Sequence, residues 1–374
     1  MAAGGDPAAP ERVVLVHGDR GAAVDGIRDH TERLAAELRR QSLAVAELRL
    51  PTALPRREAW SLLTRRLGAL DLGPLDPRTA LVLQYSPFCY GRRGFAPWLP
   101  ADLLRLRAGR KRPRLALMIH EPYVPIDSWR SGLMGLWQRL QLGSLRLLAD
   151  TVFASIEPWA RKFAALLPER PAHHLPVGSN FPDARGARED SRRRLGAEEG
   201  TLVVGCLGRD HPGWLGDHVV AAANLIARSG PPPVLLNLGA EAAAPAGLDR
   251  AVRVERPGFL AAGDFAALLA AADLFLAPTA DGVSTRRGST MAALQHAVPV
   301  LATDGPLTDP VLRGTPALSL TPVGDREAYA RAAAALAADR DRRRAAGRAG
   351  RELYEREFDW PVIARGLLAG LAAG

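Results

Sequence analysis

The pattern that most constrains this chain is an alternation that runs once and then starts again. Residues 13–17 (VVLVH) form a short β-branched run, followed by Gly18-Asp19-Arg20-Gly21. Residues 27–40 then place Ile27, Thr31, Leu34, Ala35 and Leu38 at helical spacing, and residues 43–50 alternate as a strand does. A strand, a glycine loop, a helix and a second strand in that order open a doubly wound parallel sheet. Further buried strands are expected at 80–85 (ALVLQY), 115–120 (LALMIH), 151–155 (TVFAS) and 174–177. A long helix carrying Leu133, Leu136, Trp137 and Leu140 is expected between the second and third of these.

The same grammar restarts at residue 201. Residues 201–207 (TLVVGCL) read as a strand, followed by Gly208-Arg209-Asp210-His211-Pro212-Gly213 and a helix over 217–228. Strands at 234–238, 273–277 and 299–303 and a helix over 264–271 follow. The expected organisation is an N-terminal Rossmann-like domain over 1–182, a polar, arginine-rich linker over 183–200 and a second Rossmann-like domain over 201–355. A terminal helix over 356–374 closes the chain. Ligands of such sheets sit at the carboxyl ends of the strands, here expected in a crevice between the two domains.

Composition excludes several classes. The formal net charge is +9, but arginine supplies almost all the cations, the only lysines being Lys111 and Lys162. That reads as codon bias, and a GC-rich bacterial source is expected. With acidic residues interspersed and no aromatic-plus-basic motif, a nucleic-acid partner is not expected. Cys89 and Cys206 stand far apart in apolar surroundings, so neither a disulfide framework nor a metal site is expected. No signal peptide or spanning segment is read, and the expectation is a cytoplasmic protein. Trp129, Trp137 and the arginines of 105–114 are read as a core-facing helix with a solvated basic edge, the alternative being a peripheral membrane contact.

Segment 281–303 carries the chemistry. After the strand ending at Pro278 comes a loop rich in glycine, hydroxyls and arginine: Asp281, Gly282, Val283, Ser284, Thr285, Arg286, Arg287 and Gly288. A helix is expected from Ser289, with Ser289 as its cap and Thr290 behind it. The free N–H groups of a first helical turn, the positive end of the helix dipole and two guanidinium forks suit a diphosphate. An ordinary strand–loop–helix turn with exposed arginines is the alternative.

The segment resembles the C-terminal nucleotide-binding motif of GT-B-fold glycosyltransferases, in particular the retaining glycosyl transferases group 1. Some members look like Asp-Gly-Val-Ser-x-Arg-Arg-x-Ser-x-Met-Ala-Ala-Leu-x-His-Gly-x-Pro-Val. Asp25-Gly26-Ile27-Arg28-Asp29-His30, Gln84-Tyr85-Ser86-Pro87, His120-Glu121-Pro122-Tyr123, Pro176-Val177-Gly178-Ser179-Asn180 and Phe358-Asp359-Trp360 fit the same group. The resemblance implies two Rossmann-like domains facing each other across a cleft, with the last helix returning to the first. It implies transfer from a nucleoside-diphosphate sugar to an acceptor hydroxyl or amine, with retention and without cofactor or metal. It assigns His120, Glu121 and Asp25 to catalysis or sugar contact and Gly21 and Gly26 to the acceptor loop. Arg209, Asp281, Ser284, Thr285, Arg286, Arg287, Gly288, Ser289 and Thr290 are assigned to the donor diphosphate, with Asp304 and Gly305 bordering it and His211 a further candidate.

Two departures stand out. The commoner pattern has two glutamates, and their positions hold Ser284 and Ala292 here. The second normally holds the donor ribose. The usual partner lysine is absent from the second domain, so Arg286 or Arg287 is expected to take its charge. A non-catalytic sugar-nucleotide-binding subunit and a nucleotide-sugar epimerase of the same fold remain alternatives.

Overall fold

The computed structural model describes residues 9–19, 21, 25–52, 61–70, 75–109, 112–126, 128–170, 172–208, 213–239 and 246–373. The chain divides into two compact units, one formed by 1–176 with 360–374 and the other by 177–359.

The first unit is built on strands β1 (Arg12–Asp19), β2 (Ala44–Pro51), β3 (Thr79–Tyr85), β4 (Arg114–Ile119), β5 (Thr151–Ala154) and β6 (Ala172–His174). They form one sheet in the order β2-β1-β3-β4-β5-β6, every pair parallel. A parallel sheet is covered on both faces, so its inner strands are apolar throughout rather than alternating. Val13 to Val16, Leu81 to Leu83 and Ala116 to Ile119 are accordingly buried. One face is covered by α1 (Gly26–Arg40), through Leu34, Ala35 and Leu38. Beside them pack Trp360, Ile363, Ala364, Leu367 and Leu371 of the terminal helix (Trp360–Ala373), which returns to this unit from the far end of the chain. Helices α2 (Leu62–Gly68), α3 (Trp98–Ala108), α4 (Trp129–Leu148) and α5 (Glu157–Leu166) complete it.

The second unit carries β7 (Val203–Cys206), β8 (Val234–Asn237), β9 (Arg253–Glu255), β10 (Leu274–Ala277), β11 (Val300–Asp304) and β12 (Leu318–Pro322). Their order is β12-β11-β10-β7-β8-β9, again all parallel. Its helices are α6 (Arg188–Arg194), α7 (Gly216–Ser229), α8 (Ala262–Ala270), α9 (Gly288–Gln295), α10 (Arg326–Ala338) and α11 (Arg340–Glu357), so the terminal helix is α12. Strands β9 and β12 were not anticipated, being short and only partly buried.

The expected linker over 183–200 is corrected. Its segment folds as a short turn and α6 within the second unit. Arg192 donates to Asp273 Oδ2 at 2.9 Å, the same oxygen that accepts from the Val203 amide, so its charges dock on the start of the sheet rather than solvating a tether. The chain passes between units at 176–177.

Candidate functional site

In the second sheet β7 and β10 are neighbours, and the strand order runs away from them in both directions. That is the switch point, where the loops after adjacent strands turn to opposite faces and leave room for a ligand. Here the two loops are tied together. Trp214 bridges Thr279, the Leu215 amide donates to Pro278 O at 3.2 Å and the Ala280 amide to Gly213 O at 2.9 Å. Asn237 at the end of β8 holds the neighbouring turn, its Oδ1 accepting from the amides of Gly208 (2.9 Å) and Gly239 (3.1 Å). Arg209 and His211 lie outside the described residues.

The loop after β10 is rigid by construction. Gly282 has φ +86° and lies against Gly305, and a Cβ there would come within 2.4 Å of the Gly305 nitrogen. Only glycine meets both demands. Val283 donates to Thr303 O and Leu307 to Asp281 O, each at 2.9 Å. Asp309, fully buried, accepts from both the amide (2.7 Å) and the hydroxyl (3.0 Å) of Thr285 through one oxygen. The Thr285 hydroxyl is therefore spent on the scaffold. Asp309 is the residue sequence reasoning missed; its signal would have been an acid five residues beyond Asp304 in the adjoining loop.

On that frame the sequence-predicted residues Asp281, Ser284, Arg286, Arg287, Gly288, Ser289 and Thr290 are brought together. The helix α9 starts at Gly288 with Arg287 as its cap residue, and the Arg287 side chain makes no capping bond. The expectation of Ser289 as cap is corrected: it lies one residue inside the helix. An arginine side chain offers only donors, so it cannot satisfy the N–H groups of the first turn. Arg286 Nη2 lies 3.4 Å from Asp281 Oδ2, with the arginine side chain largely buried and the aspartate half-exposed. The Ser284 hydroxyl is buried without a hydrogen-bond partner. Thr290 is buried, and Gly288 and Ser289 are half-buried. Ala292 lies in the apolar core with Met291, Ala293 and Leu294, so α9 puts no acid at the position expected to hold a ribose. Asp304 accepts from Arg313 Nε (2.9 Å) and Nη2 (2.7 Å), beside Gly305.

His296, one residue past α9, is a scaffold residue. Its Nδ1 donates to Ala292 O (2.8 Å) and its Nε2 accepts from the Ala184 amide (3.1 Å). Burial lowers its pKa, which suits the neutral form that pair of bonds requires.

In the first sheet the switch point lies between β1 and β3. Gly18 at the end of β1 is packed on the turn after β3 so closely that a Cβ would stand 1.7 Å from Cys89 O. His120 follows β4. Its Nε2 lies 2.7 Å from Gln84 Oε1, and its ring meets His30 edge-on at 4.9 Å, with Trp360 of α12 5.2 Å beyond. Burial pushes the His120 pKa down to about 4, with Asp25 pulling weakly the other way. His30 is pushed down more strongly by burial and then by His120. With Gln84 Oε1 as acceptor, the neutral His120 carries its proton on Nε2 and presents a lone pair on Nδ1.

Asp25 caps α1, its Oδ1 accepting from Ile27 (3.0 Å) and Arg28 (3.3 Å), so that helix end already holds an anion. Gly26 is the first residue of α1 rather than part of the loop. Gly21 has φ +65° and donates to Asp19 Oδ1 at 2.9 Å. Glu121 is exposed beside His120.

An open depression of about 690 Å³ lies at the starts of α7 and α10. Asp217, Asp325 and Glu327 line it against the single arginine Arg326. Three carboxylates there disfavour a diphosphate.

Residues 201–339 match the family model described as glycosyl transferases group 1. No curated protein sequence matches the chain. Among solved structures, the chain resembles sucrose-phosphate synthase from Thermosynechococcus elongatus at TM-score 0.71 and 17% identity, covering 96% of this chain and 97% of that one. It resembles Anabaena HepE, solved in complex with UDP and glucose, at TM-score 0.68 and 15% identity, covering 97% and 100%. It also resembles an α,α-trehalose-phosphate synthase (UDP-forming) from Burkholderia xenovorans, solved with glucose-6-phosphate, at TM-score 0.68 and 13% identity, covering 96% and 100%. The fold is the GT-B fold, and segment 281–303, from which the resemblance was read, lies within the residues matched by the family model.

Proposed function

We propose that the chain is a glycosyltransferase that moves a sugar from a nucleoside-diphosphate donor to an acceptor hydroxyl or amine, with retention and without a metal. The observation that carries this reading is the switch point of the second sheet. It presents two arginines and a helix start that the cap residue's side chain leaves unsatisfied, on a loop pinned by Asp309. The match of residues 201–339 to glycosyl transferases group 1 supports it. UDP is the first donor nucleotide to test, because HepE was solved with UDP and with UDP-glucose.

In the reaction the bond from the anomeric carbon to the diphosphate oxygen breaks, a bond to the acceptor oxygen or nitrogen forms, and the acceptor's proton passes to the departing diphosphate. Negative charge grows on the departing diphosphate. Arg286, Arg287 and the amides of Gly288, Ser289 and Thr290 oppose that charge with donors already in place, where they stabilise the transition state more than the ground state. Arg209 is assigned to the same group. His120, neutral at pH 7, offers Nδ1 as an acceptor for a sugar or acceptor hydroxyl rather than a positive charge.

Adding a UDP-sugar to the purified protein should raise its melting temperature by mass action. Arg286→Ala should cut turnover by about 10²–10³-fold, the usual loss for one donor at a developing charge. The reading fails if no UDP-, GDP-, ADP- or dTDP-sugar shifts the melting temperature, or if Arg286→Ala and His120→Ala both leave donor turnover unchanged. A second reading, a binding subunit without turnover, draws on the apolar Ala292 and would show a donor-induced shift with no product. An epimerase would convert the donor sugar without releasing nucleoside diphosphate.

A further inference from the structure

Helix α4 packs one face inward and leaves a second, apolar strip uncovered on its outer side. Its buried side carries Gln138 and Gln141 together with Leu142 and Leu145. Gln138 Oε1 accepts from the Val124 amide (2.9 Å) and its Nε2 donates to Arg93 O (3.2 Å), while Gln141 Oε1 accepts from the Ala96 amide (2.8 Å). Its outer side carries Trp129 (76% exposed), Leu133, Leu136, Leu140 (65%) and Leu147. At 100° per residue these five fall within roughly 60° of arc and run along about 27 Å of the helix. Ile126 stands exposed against Gly132 and Gly135, and exposed Phe95 meets Trp137 edge-on at 5.6 Å, so the apolar strip is continuous with its neighbours. On the adjoining α3, Leu104 is exposed as well. The expectation of a core-facing helix is thereby overturned: the leucines read as core are the exposed ones.

The charge of the segment that contains the strip is predominantly positive. Residues 91–148 hold eleven arginines and lysines against three acidic residues, a net +8 of the chain's +9. No Asp or Glu occurs in α4 itself. In the same segment Arg92, Arg93, Arg105, Arg112 and Arg130 are exposed, Arg105 being paired with the buried Asp102. Among the described residues no helix is long and apolar enough to cross a membrane.

We infer that this face of the first unit docks flat on an anionic lipid bilayer, with the α4 strip in the interfacial zone and the surrounding arginines on the headgroups. Exposed apolar area and an excess of basic charge are the two signals that together hold a peripheral helix at a membrane. A second copy of the chain is disfavoured as occupant, since a two-fold contact would bring two net-positive surfaces against each other. The strip begins nine residues after His120, at the same edge of the sheet. On the transferase reading, an acceptor carried in the bilayer would meet that edge; the docking itself does not depend on that reading.

The test uses the full-length protein with phosphatidylcholine vesicles, with and without phosphatidylglycerol. Sedimentation should show binding only to the anionic vesicles, weakening as salt screens the arginines. Tryptophan emission should shift blue on binding, and the shift should shrink in Trp129→Phe. The double variant Leu136→Gln/Leu140→Gln should partition at least about tenfold less, while its melting temperature and its response to UDP-sugars stay as in the parent. Absence of binding to anionic vesicles, or equal binding by the double variant, overturns the inference. So does a parent that is dimeric, a variant that is monomeric and vesicle binding by neither, which would assign the strip to a second copy.

Discussion

Acid should weaken the first unit through His120, and the size of the effect can be worked out. The imidazole is buried, its Nε2 is bonded to Gln84 Oε1, and burial lowers its pKa from 6.5 to about 4. A base whose pKa is depressed on folding binds its proton more tightly in the unfolded chain. Its contribution is therefore complete above pH 6.5 and is lost as pH falls from there toward 4. At 1.36 kcal/mol per unit, a shift of this size amounts to about 3 kcal/mol in all, of which about 2 kcal/mol is gone by pH 5. His30, lowered in the same direction by burial and by His120, adds to the loss. His120→Gln keeps a hydrogen-bonding side chain that does not titrate. Urea unfolding at pH 7 and pH 5, followed by tryptophan fluorescence, should show the parent losing about 2 kcal/mol more than this variant. Proton resonances of the imidazole, assigned by their disappearance in the variant, should not titrate between pH 7.5 and about 5. A His120 resonance titrating near 6.5, or equal acid sensitivity in parent and variant, refutes the reasoning.

Other expectations follow from single contacts. Asp309→Ala leaves the Thr285 amide and hydroxyl without their buried acceptor. It should cost about 2–4 kcal/mol in urea unfolding and loosen the donor loop, weakening UDP-sugar binding in calorimetry. Ala297 sits at φ +57° just past α9, where the resembling family pattern has glycine. Ala297→Gly should stabilise the second unit by about 0.5–1 kcal/mol, read as a rise in melting temperature, because the left-handed conformation costs a Cβ-bearing residue about that much beyond glycine's added chain entropy. His296→Ala removes a ring that bonds both Ala292 O and the Ala184 amide. It should destabilise the second unit by about 2–3 kcal/mol in the same assay.

The sequence by itself determined the frame. Continuous apolar runs, glycine turns and helical spacing are local signals, and parallel sheets covered on both faces demand them, so two Rossmann-like units and the strand–loop–helix turn that opens segment 281–303 were readable. The apolar run over 115–120 also placed His120 at the end of a strand, where β4 ends. What such signals could not determine depends on contacts between distant residues. Asp309 matters only because β11 runs beside β10 and brings residue 309 against Thr285. The segment 183–200 looked like a tether because its charges are many, yet two of its arginines pair with the single carboxylate of Asp273 and make it part of the second unit. Asp25 looked like a loop acid and is the cap of α1. The leucines of α4 have the same period whether they face a core or the outside. Periodicity gives an apolar face but not the neighbour it meets, and only the packing of Gln138 and Gln141 inward showed which side was left uncovered.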